Sequence, residues 1–436
     1  MTILIDFAYA IALVLALPFL TIRRFRRGKS TAPRRELFGN IPSRRVASRC
    51  IWIHGVSLGE INATRTIVRE IQHRAPEIAI VISATTRTGL DQARNLYPEL
   101  LVFRFPLDFS FVIRRVLSRI RPSLIVLMEL EVWPNLLAIA QKRNIPVVIA
   151  NGRVTEEKSM SRFDKPVIRT VARRMFGQLQ WVGAQDDIYA QRFEMLGVPP
   201  AKISVTGSVK YDAADQSDRV EGQAELAREL GLNLSHKLWV CGSTGPGEES
   251  LILSAYESLL SEFPDLQLAI VPRKPERFHE VAKLITDAGF PCLRRSTGKP
   301  QLPADNMRHL ETPVYLGDTM GELRKFYGLA DIVFVGRSLV PLGGSDVMEV
   351  AGLARAMVFG PYMENFAEVA EALTASDGCA PIASAADLKQ TLCDLLRDDS
   401  RRVRMGLAAR RVIAGRRGAT DKTVTKLFEL VDFHSL

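Results

Sequence analysis

At 436 residues, with five cysteines and no C-x-x-C pair, the chain has room for two domains and a further small piece and fits a reducing compartment. Its formal charge of +10 would suit a nucleic-acid binder, yet residues 23–49 alone carry ten Lys and Arg against the single acid Glu36, a net +9, and the rest is nearly neutral. A nucleic-acid binder spreads or patches its charge over the folded body, and no zinc-finger, RNP or helix-turn-helix pattern occurs, so nucleic acid is excluded as a partner.

Residues 3–22 are almost wholly apolar, and at 1.5 Å per residue about twenty of them cover roughly the 30 Å of a bilayer core. Asp6 falls near the outer end of that span, where its cost is smaller than at the centre. No basic region precedes the run and arginines follow it, the reverse of a signal peptide. The reading is an uncleaved single-pass anchor with the folded domains on the cytoplasmic side. The basic stem 23–49 suits an anionic membrane surface.

A first domain is expected over 50–215. Ile51-Trp52-Ile53 reads as a strand, followed by His54-Gly-Val-Ser57-Leu-Gly-Glu60 and a helix from about Ile61 to His73. The embedded G-x-S-x-G imitates a hydrolase nucleophile elbow with Ser57 as nucleophile. That elbow follows several strands and an oxyanion loop, whereas here it follows the first strand. Further strands are expected at 79–82, at 124–128 ending in Glu129, and at 147–150 before Asn151-Gly152-Arg153. Strands alternating with helices predict a doubly wound sheet whose ligands gather beyond the carboxyl ends of its strands, where Glu60, Glu131 and Asn151 all fall.

A second domain is expected over 224–436, after a polar linker. Leu238 begins a strand ending in Gly242-Ser243-Thr244, with Glu248 and Glu249 on the next helix. Another strand leads into Pro272-Arg273-Lys274, and Arg273 is suited to clamp phosphate because guanidinium binds phosphate oxygens bidentately. From Tyr315 to Phe366, short apolar runs again alternate with helix-like segments. Two helix starts there are built for an anion: Thr319-Met320-Gly321-Glu322, and Ser345-Asp346 after Gly343-Gly344. Asp346-Val-Met-Glu349 also has the form of a capping box, which by itself announces only a helix.

These segments together resemble the bacterial 3-deoxy-D-manno-octulosonic acid (Kdo) transferases over nearly everything from Trp52 to Phe366. The family patterns HxVSxGE, METExWPNL, TGNxKFD, STHxGEE, PRHPERF, LGDTMGEL, GGHNxLEPA and GPHxxNF occur in order, LGDTMGEL unbroken. The resemblance implies the GT-B architecture, two Rossmann-like domains facing a cleft, with the acceptor on the first and the CMP-sugar donor on the second. It implies transfer of Kdo from CMP-Kdo to a hydroxyl of a lipid A precursor, by an inverting-type displacement. By the same resemblance Glu60 is the catalytic base, Glu131 supports the transition state and Lys210 stabilises the leaving phosphate. Donor contacts are implied at Pro272, Arg273, Met320, Gly321, Glu322, Asp346 and Glu349, with Ser243, Thr244 and Ser345 as further candidates. No Asp-x-Asp occurs, and Arg273, Lys210 and helix dipoles can neutralise one phosphate, so neither a metal nor a cofactor is expected. The chain departs from the family at Ser345 for His, Asp346 for Asn, Val350 for Pro, Gly245 for His, Lys274 for His and Arg337 for Gly. These departures keep open a GT-B enzyme with another nucleotide sugar; a non-catalytic CMP-sugar or lipid-binding paralogue is the remaining alternative, against which intact Glu60, Lys210 and Arg273 speak.

Overall fold

Short, mostly apolar runs of two to seven residues, bounded by glycine and polar turns, form the strands of two sheets. In the computed structural model of the protein the described residues are 2, 5–7, 9–11, 34–44, 48–155, 160, 166–214, 216–302 and 311–431. Among them the chain divides into Met1–Ala213 with Arg416–Leu436, the first unit, and Ala214–Gly415, the second.

The first unit holds β1 (Cys50–Gly55), β2 (Ala79–Ala84), β3 (Leu101–Arg104), β4 (Leu124–Met128), β5 (Val147–Gly152), β6 (Trp181–Ala184) and β7 (Ile203–Val205). They pair in parallel in the order β3-β2-β1-β4-β5-β6-β7. Every residue of β1 and β4 is buried, as expected where helices cover both faces of a parallel sheet and strands read as unbroken apolar runs. The order reverses between β1 and β4, which makes their carboxyl ends the place where this topology leaves room for a ligand. The helices that matter for the site are α1 (Leu58–Arg74), α2 (Ser110–Ile120), α3 (Pro134–Lys142) and α4 (Val209–Ala213). Ser57 caps α1 through the Glu60 N–H, which starts the helix a turn before the point where its apolar stripe begins at Ile61. That stripe, Ile61, Ile67, Val68 and Ile71, recurs at helical spacing and packs on β1 and β2.

His54 is the polar exception inside this core. Its ring stacks on Phe105 with centroids 4.0 Å apart, and Nδ1 lies 2.9 Å from Ser83 Oγ. Burial pushes its pKa down to about 3, so the ring is neutral.

The second unit holds β8 (Leu238–Thr244), β9 (Gln267–Pro272), β10 (Cys292–Arg294), β11 (Pro300–Gln301), β12 (Val314–Leu316), β13 (Ile332–Val335), β14 (Ala356–Phe359) and β15 (Ala380–Pro381). Their order is β11-β10-β12-β9-β8-β13-β14-β15, parallel throughout except for β10 against β11. Here the reversal falls between β8 and β13. The helices used below are α5 (Glu248–Leu260), α6 (Leu323–Leu329) and α7 (Met348–Gly352).

One expectation changes. The last helix, α8 (Ala419–Val431), was assigned by sequence to the domain ending at 436, yet it packs on α1 with Val424, Leu427 and Phe428 in the first unit's core. The Asp212 carboxylate fastens its start, accepting hydrogen bonds from the N–H groups of Gly418 and Thr420. The anchor at 3–22 and the stem at 23–49 lie largely outside the described residues, and among the described residues no helix is long and apolar enough to cross a membrane. The carboxylate of Asp6, one of the few described residues of that stretch, accepts hydrogen bonds from Ser110 N (2.8 Å), Ser110 Oγ (2.6 Å) and Asn135 Nδ2 (2.9 Å) of the first unit.

Candidate active site

At the end of β1 the chain turns through Val56-Ser57 into α1, and the turn is fixed from both sides. Val56 N donates to Glu60 Oε2 at 2.8 Å and Ser57 Oγ donates to Glu60 Oε1 at 2.9 Å, while Glu60 N approaches Ser57 Oγ at 3.3 Å. From the neighbouring loop, Thr86 N and Thr86 Oγ1 both donate to the Val56 carbonyl, at 3.0 and 2.9 Å. The Glu60 carboxylate is thus held in one orientation, half-buried, and each oxygen keeps a lone pair for an incoming proton.

Across the reversal point stands Glu129, immediately after β4. It adopts φ 57°, a left-handed conformation uncommon for a side chain other than Gly, Asn or Asp, and its N–H donates to Ala150 O at 3.0 Å. Burial raises the pKa of its carboxyl and the negative charge of Glu60 raises it further, while Lys210 and Arg153 work in the opposite direction. Two carboxylates and two cations therefore share the carboxyl edge of this sheet. The cation Lys210 is set in place by Asn151, itself at φ 55°: Asn151 Oδ1 accepts the Val209 N–H at 3.2 Å and so ties the start of α4 to the end of β5. Asn151 is fully buried, and its Nδ2 has no hydrogen-bond partner among the described residues.

Glu129, which the motif reading does not name, is thus coupled to Glu60. Glu131 lies two residues further on, half-buried, in the turn before Pro134 opens α3. A sequence signal for Glu129 existed in its position directly after an unbroken apolar strand.

In the second unit, Pro272 ends β9 and Arg273 follows it, its side chain exposed and its N–H donating to Thr244 O at 3.1 Å. Glu349, in the first turn of α7, has its carboxyl raised by burial and by Asp346 and lowered by Arg324 and Arg273. Arg273, Asp346 and Glu349 therefore do come together, and Arg324, which directly follows the LGDTMGEL run, joins them unforeseen. Asp346 does not form the expected capping box. The helix begins two residues later, and Asp346 Oδ1 accepts the Met348 N–H at 2.8 Å in a local turn. Gly343 (φ 82°) and Gly344 (φ 77°) precede it; a Cβ on Gly343 would stand 2.2 Å from the Asn365 side chain and one on Gly344 2.6 Å from Met363 Sδ, so this turn must be glycine. Ser345 is buried, its hydroxyl 3.4 Å from Ser243 O.

Other expected contacts are placed differently. Met320 is 71% exposed and Gly321 (φ 86°) has open space around it, available to a ligand. Glu322 is ionised and already hydrogen-bonded: although partial burial opposes it, hydrogen bonds from Arg295, Thr319 and Lys325 hold its carboxyl down at about 2. Ser243 stands at φ 55°, and Thr244 is buried with its hydroxyl donating to Glu249 at 2.8 Å. Glu249 in turn pairs with buried Arg277 at 2.5 Å.

Residues 31–213 match the family model for 3-deoxy-D-manno-octulosonic-acid transferase (kdotransferase). The chain is 36% identical over 380 residues to the 3-deoxy-D-manno-octulosonic acid transferase of Haemophilus influenzae, covering 86% of each. With the enzyme of that name from Bordetella pertussis it shares 29% identity over 435 residues, 96% of this chain and 98% of that one. In fold it is similar to a glycosyltransferase from Rickettsia africae, with a TM-score of 0.57 at 11% identity over 89% of this chain and 100% of that one. The two α/β units, each built on a largely parallel sheet, accordingly resemble those of GT-B glycosyltransferases.

Proposed function

The chain belongs to the 3-deoxy-D-manno-octulosonic acid transferase family and is a glycosyltransferase, and from that premise we propose that it transfers Kdo from CMP-Kdo to a hydroxyl of a lipid A precursor. The first unit binds the acceptor and supplies the base. The second binds the CMP moiety around Arg273, Gly321, the Gly343–Asp346 turn and Glu349.

In the proposed step the acceptor oxygen forms a bond to the anomeric carbon of Kdo as the bond from that carbon to the CMP phosphate oxygen breaks. The hydroxyl proton passes to Glu60. The electron pair leaves with the phosphate, whose charge Arg273 of the second unit meets as a cation, while Lys210 is the cation that the first unit offers. Displacement from the face opposite the leaving group inverts the anomeric centre. A positioned base is worth roughly 10²–10⁴-fold in rate. Arg and Lys suffice for one phosphate, so no metal is assigned a role, and activity persisting in EDTA is expected.

The observation that carries this reading is the Glu60 carboxylate, fixed by Val56 N and Ser57 Oγ at the reversal point of the first sheet. A carboxylate needed only as a helix cap has no reason to share that edge with a second acid, Glu129, balanced against Lys210 and Arg153. The apolar stretch 3–22 and the basic stem support attachment to the cytoplasmic face of the inner membrane, where a lipid acceptor is available. Mass spectrometry of a lipid A precursor incubated with the protein and CMP-Kdo tests the proposal. A mass gain of one or more Kdo residues supports it, and transfer only from other nucleotide sugars would replace it.

A further inference from the structure

In an open α/β sheet the crevice at the reversal of strand order is where an anionic ligand is usually received, by backbone N–H groups of the two loops that flank it. In the second unit those loops follow β8 and β13, and their N–H groups already have an occupant. Glu248 is fully buried. Its Oε2 accepts hydrogen bonds from Gly245 N (2.8 Å) and Arg337 N (2.6 Å), and its Oε1 from Ser338 N (2.8 Å) and Leu339 N (2.9 Å). Burial raises the pKa of this carboxyl, and the four N–H groups work in the opposite direction by using both lone pairs of each oxygen, which favours the carboxylate.

The loops are also too close for a second anion. A Cβ placed on Gly336 would lie 2.6 Å from both Ser243 O and Thr244 Cα, so the two backbones touch where a phosphate would have to enter. Above Gly245 the Arg337 side chain closes the space: a Cβ there would lie 3.1 Å from Arg337 Cγ, and the guanidinium donates to Leu342 O at 2.6 Å. Arg337 accepts a left-handed backbone, φ 63°, to make this arrangement.

We infer that Glu248 is a built-in anion, a positioning residue whose carboxylate fills the N–H cradle at the reversal point of the second sheet and holds both flanking loops in the form that binds the donor. The donor phosphate is therefore received beside this point, at Arg273 and the Gly343–Asp346 turn, and not within it. The chain leads directly from one to the other, because Gly344 N donates to Arg337 O at 2.8 Å. Whatever sets Arg337 also sets the glycine turn.

The inference rests on reading the second unit as the donor unit, and the test separates the two. CMP binding, donor KM and kcat, and melting temperature are measured for the full-length wild type, Glu248→Gln and Glu248→Ala, in sodium formate and in sodium chloride of equal ionic strength. In the Gln variant the amide NH₂ faces two N–H donors whichever way it turns, so CMP affinity is expected to fall about 10-fold or more, with donor KM rising likewise and kcat within about twofold. In the Ala variant the cradle stands empty, and formate, a free carboxylate of matching size, is expected to raise the melting temperature and restore CMP binding while leaving the wild type unmoved. Should the Ala variant fold only in formate, that counts in favour. A Gln variant binding CMP within about twofold of the wild type, or an Ala variant that folds in both salts and responds to formate no more than the wild type does, overturns the inference. A wild type that fails to bind CMP sinks the donor reading instead, and the melting temperatures in formate still decide the role of Glu248.

Discussion

Ser57 and Glu60 hold each other: Ser57 Oγ donates to Glu60 Oε1 at 2.9 Å while the same oxygen receives the Glu60 N–H at 3.3 Å. The helix cap and the proposed base are therefore one structure. Replacing Ser57 by Ala removes the cap, at about 1 kcal/mol of stability, and releases one of the two contacts that orient the carboxylate. The Ser57→Ala variant should melt slightly earlier and turn over several-fold more slowly, with little change in donor KM. A variant with a lower melting point and wild-type kcat would show that the orientation of Glu60 is set without the serine.

Glu129 occupies a left-handed backbone position beside a like charge, two unfavourable conditions at one residue. Glu60→Gln removes a charge that raises the Glu129 carboxyl, so Glu129 should titrate at lower pH in that variant, followed by NMR of its side-chain carboxyl carbon. Glu129→Gly relieves the backbone and is expected to raise stability by up to about 1 kcal/mol while turnover falls. A Glu129 titration unchanged in the Gln variant would separate Glu129 from Glu60.

Much of this was legible in the sequence, and the misses have a common cause. Ile51 to Ile53, Leu124 to Met128 and Ile332 to Val335 announce buried parallel strands because no polar residue interrupts them. Glycines before Ser345 mark a tight turn for the same local reason. The unread features depend on strand order or distant pairing. The relation of Glu129 to Glu60 exists because β1 and β4 are neighbours, and Glu322 is paired with Arg295, 27 residues before it. An amphipathic face likewise cannot declare which core it will cover, which is why α8 was assigned to the wrong unit.

Asp346 provides a third test, which rests on the donor reading. Asp346→Asn keeps an oxygen for the Met348 N–H while removing the charge that pushes the Glu349 carboxyl up. CMP should then bind about threefold tighter or more by calorimetry. Weaker binding would mean that the carboxylate itself contacts the donor.

His54 sets an acid limit on stability. Its folded-state pKa is depressed from 6.5 to about 3, so the unfolded chain takes up the proton more readily, and stability present above pH 6.5 is lost as the pH falls towards 3. The corresponding window for Glu322 runs lower, from 4.5 down to about 2. Between about pH 6.5 and 5 the loss from His54 is opposed by Asp108, whose carboxyl burial raises to about 7 so that the folded protein takes up its proton first. Removing only the His54 contribution, His54→Gln, which retains a polar partner for Ser83, should lose less melting temperature than the wild type over this range, or gain some. Equal falls in both proteins would assign the acid sensitivity to another group.

The most direct measurement of the central claim is steady-state transfer by Glu60→Gln beside its melting curve. The amide can still accept a hydrogen bond through its one oxygen but cannot take up the acceptor proton, so turnover should fall by roughly 10²-fold or more while the protein remains folded and binds CMP as the wild type does. If Glu60 serves only its helix, the variant loses a few tenths to about 1 kcal/mol of stability and keeps turnover within a few-fold of the wild type. That result would remove Glu60 from the reaction.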